Sequence, residues 1–314
     1  MEVLRDPKPV PKEWSSAIVT IGNFDGVHIG HQRILISMVE TAARTSENCT
    51  VITFDPHPLS ILRPEREFQL IMTLQDRLDH LAAQGIERVV IYSFTPRLAM
   101  LNPTEFLTKM QAEFKPKTIY IGHDFRFGHG RSGDYSFLQR AGRQAGFTVE
   151  RIPAISLQGQ VVHSSVIRSH IRQGNLDAAR RMLDRPHFLR GMVEIDRGVG
   201  RTLGYPTANL KLGDVVLPPD GVYATFASWG SHRRRALTYI GMRPTFGGRE
   251  RVCESYLLDS AEDLYGAEMK VEFMAFLRED RSFASSEALV EQIDKDLQHG
   301  LEVFAEMSEN TLTI

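Results

Sequence analysis

The 314-residue chain has only two cysteines, Cys49 and Cys253. So few, and with no Cys-x-x-Cys pair, exclude a disulfide framework and a cysteine-based zinc site. No apolar run approaches the ~18 residues that a membrane-spanning helix needs. The opening MEVLRDPKPVPKEW carries charges and prolines where a secretion signal would carry an apolar stretch. Excess positive charge is also missing. With 37 Lys and Arg against 39 Asp and Glu, the net charge of -2 suggests neither a nucleic-acid binder nor a membrane-surface binder. The short run Arg233-Arg234-Arg235 reads as a solvated turn. Internal repeats, low-complexity segments, a GxxxxGK[ST] phosphate loop and protein-kinase motifs are all absent. A cytosolic protein with reduced thiols is expected, with no obligate protein partner implied.

The length suits two domains. In the first half, strand and helix patterns alternate. Apolar or β-branched strands are expected at 17–22, 49–54, 88–94, 117–122 and 147–152. Between them, helical spacing covers 29–43, 74–83, 104–114 and 135–145, and further helical stretches follow near 166–172 and 176–183. Such alternation predicts a doubly wound parallel sheet. The pattern changes at Arg185-Pro186, so domains 1–184 and 185–314 are expected. Beyond it, strands come without intervening helices at 188–195, 222–229, 235–241, 253–258 and 269–276. They predict an antiparallel barrel or sandwich. A closing helix with an apolar stripe of Leu289, Ile293, Leu297, Leu301 and Phe304 would cover it.

The first strand runs into TIGNFDGVHIGHQ at 20–32. Gly22 and Gly26 permit tight turns, and His28 and His31 lie three apart where a helix begins. A helix N-terminus at a strand's carboxyl end favours phosphate. Two imidazoles there suit a nucleotide attacked at its α-phosphate, because charge builds on phosphorus and on the leaving pyrophosphate. A lone histidine in this place would read as a surface residue, and HxxH without further ligands is an incomplete zinc site. The tetrapeptide His-Ile-Gly-His also matches the signature of class I aminoacyl-tRNA synthetases, but no KMSKS-like partner accompanies it.

Together with FDPHP (54–58), GHDFRFGHGRSGD (122–134) and SSVIRSHIRQGN (164–175), this motif resembles the nucleotidyltransferase module of bacterial bifunctional riboflavin kinase/FMN adenylyltransferases. The resemblance implies that His28 and His31 hold ATP phosphates as catalytic groups, with Gly22, Phe24 and Gly26 in the same ATP-binding loop. Ser164, Ser165 and Arg168 would form a second ATP-side element. Asp124, Phe125 and Phe127 would belong to a flavin-side loop, although Phe127 reads equally well as core. Asp25 could orient a histidine or a metal ion, or cap the helix. No general base is required, since the FMN phosphate is already ionised.

The second half carries GRTLGYPTANL (200–210), LPPDGVYA (217–224), IGMRPTFGG (240–248), ESYLLD (254–259) and FLREDRSF (276–283). Alone, Thr207 and Asn209 would read as a capped turn and Glu254 as a surface residue. As an ordered set, these segments resemble the riboflavin kinase module of the same family. The resemblance implies that Glu254 is the base for riboflavin's 5′-hydroxyl. Thr207 would be a ligand of Mg²⁺, Asn209 would orient metal and phosphate, and Gly200 and Gly204 would approach ATP. Riboflavin, FMN, FAD and ATP follow as substrates and products. An inactive relative that holds flavin or nucleotide for regulation is the alternative. The sequence departs from the family at four places. His163 stands where a serine is usual, Asp184 and Asp196 where glycine is, and Ser255-Tyr256 follows Glu254.

Overall fold

The computed structural model describes residues 1–7, 10–14, 18–195, 203–245, 248–258 and 262–311. By packing, the chain divides into two compact units, one of Met1–Gln69 with Leu74–Ser164 and one of Leu70–Thr73 with Ser165–Ile314.

The first unit is built on a six-stranded, wholly parallel sheet. Its strands are β1 (Glu2–Arg5), β2 (Ile18–Ile21), β3 (Cys49–Phe54), β4 (Arg88–Tyr92), β5 (Thr118–Gly122) and β6 (Thr148–Ile152), in the order β1-β4-β3-β2-β5-β6. β2 and β3 are buried at every position, as a parallel strand covered on both faces should be. The main helices are α1 (Ile29–Thr45), α2 (Pro58–Leu62), α3 (Leu74–Ala83), α4 (Pro96–Ala99), α5 (Pro103–Phe114) and α6 (Tyr135–Ala145). The chain leaves β2 toward β3 on one side and later returns to β5 on the other. The switch point therefore lies between β2 and β5, and the loops after these two strands flank it. A two-stranded hairpin, β7 (Ser156–Leu157) with β8 (Gln160–Val161), follows β6.

The second unit begins with α7 (Ser164–Arg172) from Ser165 onward and α8 (Leu176–Leu183). A closed antiparallel barrel follows, formed by β9 (Phe188–Glu194), β10 (Thr207–Lys211), β11 (Gly221–Trp229), β12 (His232–Thr245), β13 (Gly248–Leu257) and β14 (Glu268–Glu279), in the order β10-β13-β12-β11-β14-β9. Helix α9 (Ser286–Thr311) packs on β11, β12 and β14, with the Phe304 ring 5.2 Å from Phe226. Leu189, Tyr223, Ile240, Cys253, Val271 and Phe273 are among the residues that fill the barrel's core.

The parallel sheet and the barrel match the architecture expected from the alternating and helix-free halves. Packing parts the units at Ser164, before the composition change at 184/185. The reason is visible in α8, whose Leu176 is buried in the same apolar cluster as the barrel interior. A chain starting at Ser165 should therefore withstand urea better than one starting at Arg185. The expected difference is at least ~2–5 kcal/mol, the usual cost of losing one buried leucine side chain, since Ile167, Ile171, Met182 and Leu183 are also buried. Equal unfolding midpoints would mean that α8 adds no core.

Asp184 closes α8 in the left-handed conformation, with φ 59°. That conformation favours glycine there, and aspartate tolerates it better than most residues.

His187 is buried beside Phe273 and its Nε2 donates to the Val216 carbonyl at 3.1 Å. Burial drives its pKa down to about 4, assisted by Arg185 and opposed by the Val216 bond. The native state thus resists protonation while the unfolded chain accepts it. Its contribution to stability is complete above pH ~6.5 and is lost as pH falls toward 4. The barrel should lose about 2 kcal/mol between pH 6.5 and 5 from this group. Urea unfolding followed by Trp229 in a Trp14→Phe background should show the loss, and His187→Gln should flatten it.

Candidate functional site

The loop after β2 is held in an unfavourable backbone shape. Phe24, Gly26 and Val27 have φ of 52°, 83° and 36°. Only glycine adopts such values freely, so the two other residues store strain that the surroundings must offset. The clamps are identifiable. Phe24 and Val27 are fully buried. Gly22 N–H donates to the Ile52 carbonyl at 3.0 Å, and Gln32 Nε2 donates to the Val27 carbonyl at 3.0 Å. Ser164 Oγ donates to the Asp25 carbonyl at 2.8 Å. Arg77 Nη1 reaches the Asn23 carbonyl at 2.6 Å and Thr53 Oγ1 at 3.2 Å.

His28, rather than Asp25, caps α1, its Nδ1 accepting the His31 backbone N–H at 3.3 Å. In the neutral ring this fixes the proton on Nε2. The His31 ring stacks on His28 with centroids 3.7 Å apart and planes 15° apart. Gly30 makes room for this, since a Cβ there would come within 3.2 Å of the His28 ring. Burial, then the neighbouring His28, Arg77 and His163, hold the His31 pKa well below its usual value. His31 is thus neutral at physiological pH. Its Nδ1 is buried and makes no hydrogen bond among the described residues. The Phe24 ring lies behind, 5.0 Å from His31, so any nucleotide contact by Phe24 must come through its backbone. The whole constellation stands at a helix N-terminus on the switch point, a place suited to phosphate.

The loop after β5 carries Asp124 exposed, Phe125 half-buried and Phe127 buried. Phe127 takes the core alternative, its ring packed with Phe106, Phe125 and Phe137 and roofed by Gly133. Phe125 is the better exposed aromatic of the pair. His163 lies with its Nδ1 3.5 Å from Asp124. Ser165 is exposed and Arg168 buried, and by packing both belong to the barrel unit.

Arg77 escaped the sequence reading. Its signal was a cation on the α3 face shared by Leu74, Leu78 and Leu81, where an apolar residue is the rule. Burial lowers its pKa, with Asp25 and Asp55 opposing.

In the barrel, β10 pairs with β13 so that Asn209 is opposite Glu254, and β12 pairs so that Tyr239 is opposite Glu254 on the other side. Ala208 and Leu210 point into the core. Alternation therefore sets Thr207 and Asn209 on the outer face, with Glu254 beside them. Cys253 is buried in the core, as expected of a residue on the opposite face. So is Ser255, which completes a buried hydroxyl chain with Thr238 (2.8 Å) and Thr225 (a further 2.8 Å). That chain accounts for a polar residue where an apolar one is usual. Burial first, then Asp280, push the Tyr239 phenol up to about 12, with Asp220 and Glu254 adding to the shift. Asn209 Oδ1 is buried and makes no hydrogen bond among the described residues. Thr207, Asn209 and Glu254 present oxygen donors, the set that a hard cation such as Mg²⁺ prefers. Gly204, exposed with φ 90°, precedes this strand. Gly200 and Asp196 lie outside the described residues.

A helix N-terminus at the switch point of one unit and a carboxylate–amide–hydroxyl set on a barrel are two places suited to phosphate chemistry. Comparison narrows the class. Residues 10–166 match the sequence profile of FAD synthetase and residues 183–304 that of riboflavin kinase. The bifunctional riboflavin kinase/FMN adenylyltransferase of Pseudomonas fluorescens is 35% identical over 299 residues, covering 95% of this chain and 96% of its own. The Bacillus subtilis protein of that name is 30% identical over 304 residues, again covering 95% and 96%. A crystal structure solved as a macrolide-efflux protein from Streptococcus pneumoniae superposes with TM-score 0.84 at 29% identity, covering 94% of this chain and 97% of that one. No helix among the described residues of this chain is long and apolar enough to cross a membrane. The chain belongs to the bifunctional riboflavin kinase/FMN adenylyltransferase family.

Proposed function

We propose that the barrel unit phosphorylates riboflavin with ATP and that the parallel-sheet unit adenylylates the resulting FMN to FAD. Family membership along nearly the whole chain is the observation that carries this reading. In the first reaction, the riboflavin 5′-oxygen attacks the γ-phosphorus, ADP leaves, and Glu254 takes the hydroxyl proton. Thr207 and Asn209 would hold Mg²⁺, which when bound neutralises phosphate charge. Gly200 and Gly204 would let the backbone approach ATP. In the second reaction, an FMN phosphate oxygen attacks the α-phosphorus of ATP and pyrophosphate leaves. His28 and His31 donate N–H hydrogen bonds to the charge that develops, within a loop formed by Gly22, Phe24 and Gly26. Ser164, anchored on the Asp25 carbonyl, stands on the ATP side. Asp124 and Phe125 serve the flavin side, with Phe127 supporting Phe125.

Incubation of the purified protein with riboflavin, ATP and Mg²⁺ should yield FMN and then FAD, resolved by chromatography. Conversion of neither substrate would overturn the proposal.

A further inference from the structure

The ligand-capable atoms of His123, Asp124 and His163 all lie within 4.8 Å of one another. His163 Nδ1 is 3.5 Å from Asp124 Oδ2, and His123 Nδ1 is 3.9 Å from Asp124 Oδ1. The two imidazole rings stand 5.2 Å apart, tilted by 40°. These three side chains come from two separated stretches of chain, and both stretches are pinned. Arg151 on β6 donates to the His123 carbonyl through Nε at 3.1 Å and Nη2 at 2.6 Å. Ser164, next to His163, is anchored on the Asp25 carbonyl at 2.8 Å. The carboxylate is 59% exposed, which leaves one side of the cluster open to solvent.

Two imidazoles and one carboxylate converging on an open face form a donor set used for zinc and related ions, with a fourth position left for an exogenous oxygen. Mg²⁺ prefers oxygen ligands and has little use for two nitrogens. We propose that His123, Asp124 and His163 bind one divalent transition-metal ion of the Zn²⁺ or Co²⁺ class, at the loop that follows β5. The site is distinct from the oxygen-only cluster of Thr207, Asn209 and Glu254. It depends on His163, one of the residues by which this chain departs from its family's usual pattern. The same three residues without a metal would be an ordinary pair of histidine–carboxylate contacts, so the test must detect the ion itself.

Co²⁺ should be titrated into chelator-treated full-length protein, with visible absorption as the readout. One equivalent should raise ligand-field bands, and one equivalent of Zn²⁺ should abolish them, whereas an excess of Mg²⁺ should not. His163→Ser and His123→Ala should each weaken binding by more than the ~10–100-fold that losing a mere supporting partner of a ligand costs. Circular dichroism and cooperative urea unfolding serve as controls that the variants are folded. In the unaltered protein Zn²⁺ should shift the ring resonances of two histidines, with His123 and His163 identified by their loss in the variants. Absence of cobalt bands in the unaltered protein, or affinities unchanged in both variants, would overturn the proposal. Displacement of Co²⁺ by Mg²⁺ would overturn the assigned metal class.

Discussion

FAD formation is expected to fall by on the order of 10²–10⁵ when His28 and His31 are both replaced by alanine, with FMN formation continuing at the parental rate. The magnitude is that of removing two charge-stabilising donors from a pre-organised site. Two imidazolium rings 3.7 Å apart would repel, and burial already keeps His31 neutral. The loss should fall mainly on kcat, because the donors meet charge that appears only in the transition state. The two single variants should differ in stability. His28→Ala also removes the cap of α1 and should cost ~1 kcal/mol in unfolding free energy. His31→Ala keeps the capped backbone N–H, so any cost should come from the lost packing of its ring on His28 and Phe24 and not from the cap. A double variant that makes FAD at the parental rate from supplied FMN would remove both histidines from the chemistry.

Riboflavin phosphorylation should drop by about 10²–10⁴ in Glu254→Gln, the usual cost of losing a general base. The substitution keeps the shape and hydrogen-bonding reach of the side chain but cannot accept the proton. Tyr239, the cross-strand neighbour of Glu254, cannot take over, since its phenol is held protonated with a pKa pushed up to about 12. Riboflavin binding, followed by its own fluorescence, should weaken little, and FAD formation from supplied FMN should be unaffected. A Gln variant with full kinase activity would exclude Glu254 as the base.

Much of the fold was legible because buried parallel strands and amphipathic helices leave strong periodic signals. The expected helix over 74–83 is the observed α3, and the strand expected at 49–54 is β3. Besides the two-residue strands β7 and β8, two longer strands were missed, for different reasons. Glu2–Arg5 is a largely exposed edge strand of only four residues, with no apolar run to announce it. Thr207–Lys211 alternates small polar and apolar residues after a proline, and so reads equally well as a turn. Only its pairing with β9 and β13 makes it a strand. The candidate histidines were visible because motif and helix start coincide. Arg77 was not, because its importance lies in carbonyl groups of residues far away in sequence. The likeness of Phe127 to a flavin-stacking aromatic gave way to its burial for a similar reason. Burial is a property of the partners, which local sequence does not name.

The short piece Leu70–Thr73 packs with the barrel unit although both its neighbours in sequence belong to the parallel-sheet unit. Leu70 donates its N–H to the Asp214 carbonyl at 2.9 Å and accepts from Val216 N–H at 2.7 Å. During synthesis from the N-terminus this piece emerges long before Asp214 and Val216 exist, so its hydrogen bonds must wait while the chain on either side collapses. The first unit can therefore be complete in every strand and still carry an unfilled thread. Closing that long loop costs entropy that the barrel must recover once it forms. Proteases acting on nascent or partly unfolded chains should find this tetrapeptide early, and its protection from cleavage should report the arrival of the second half.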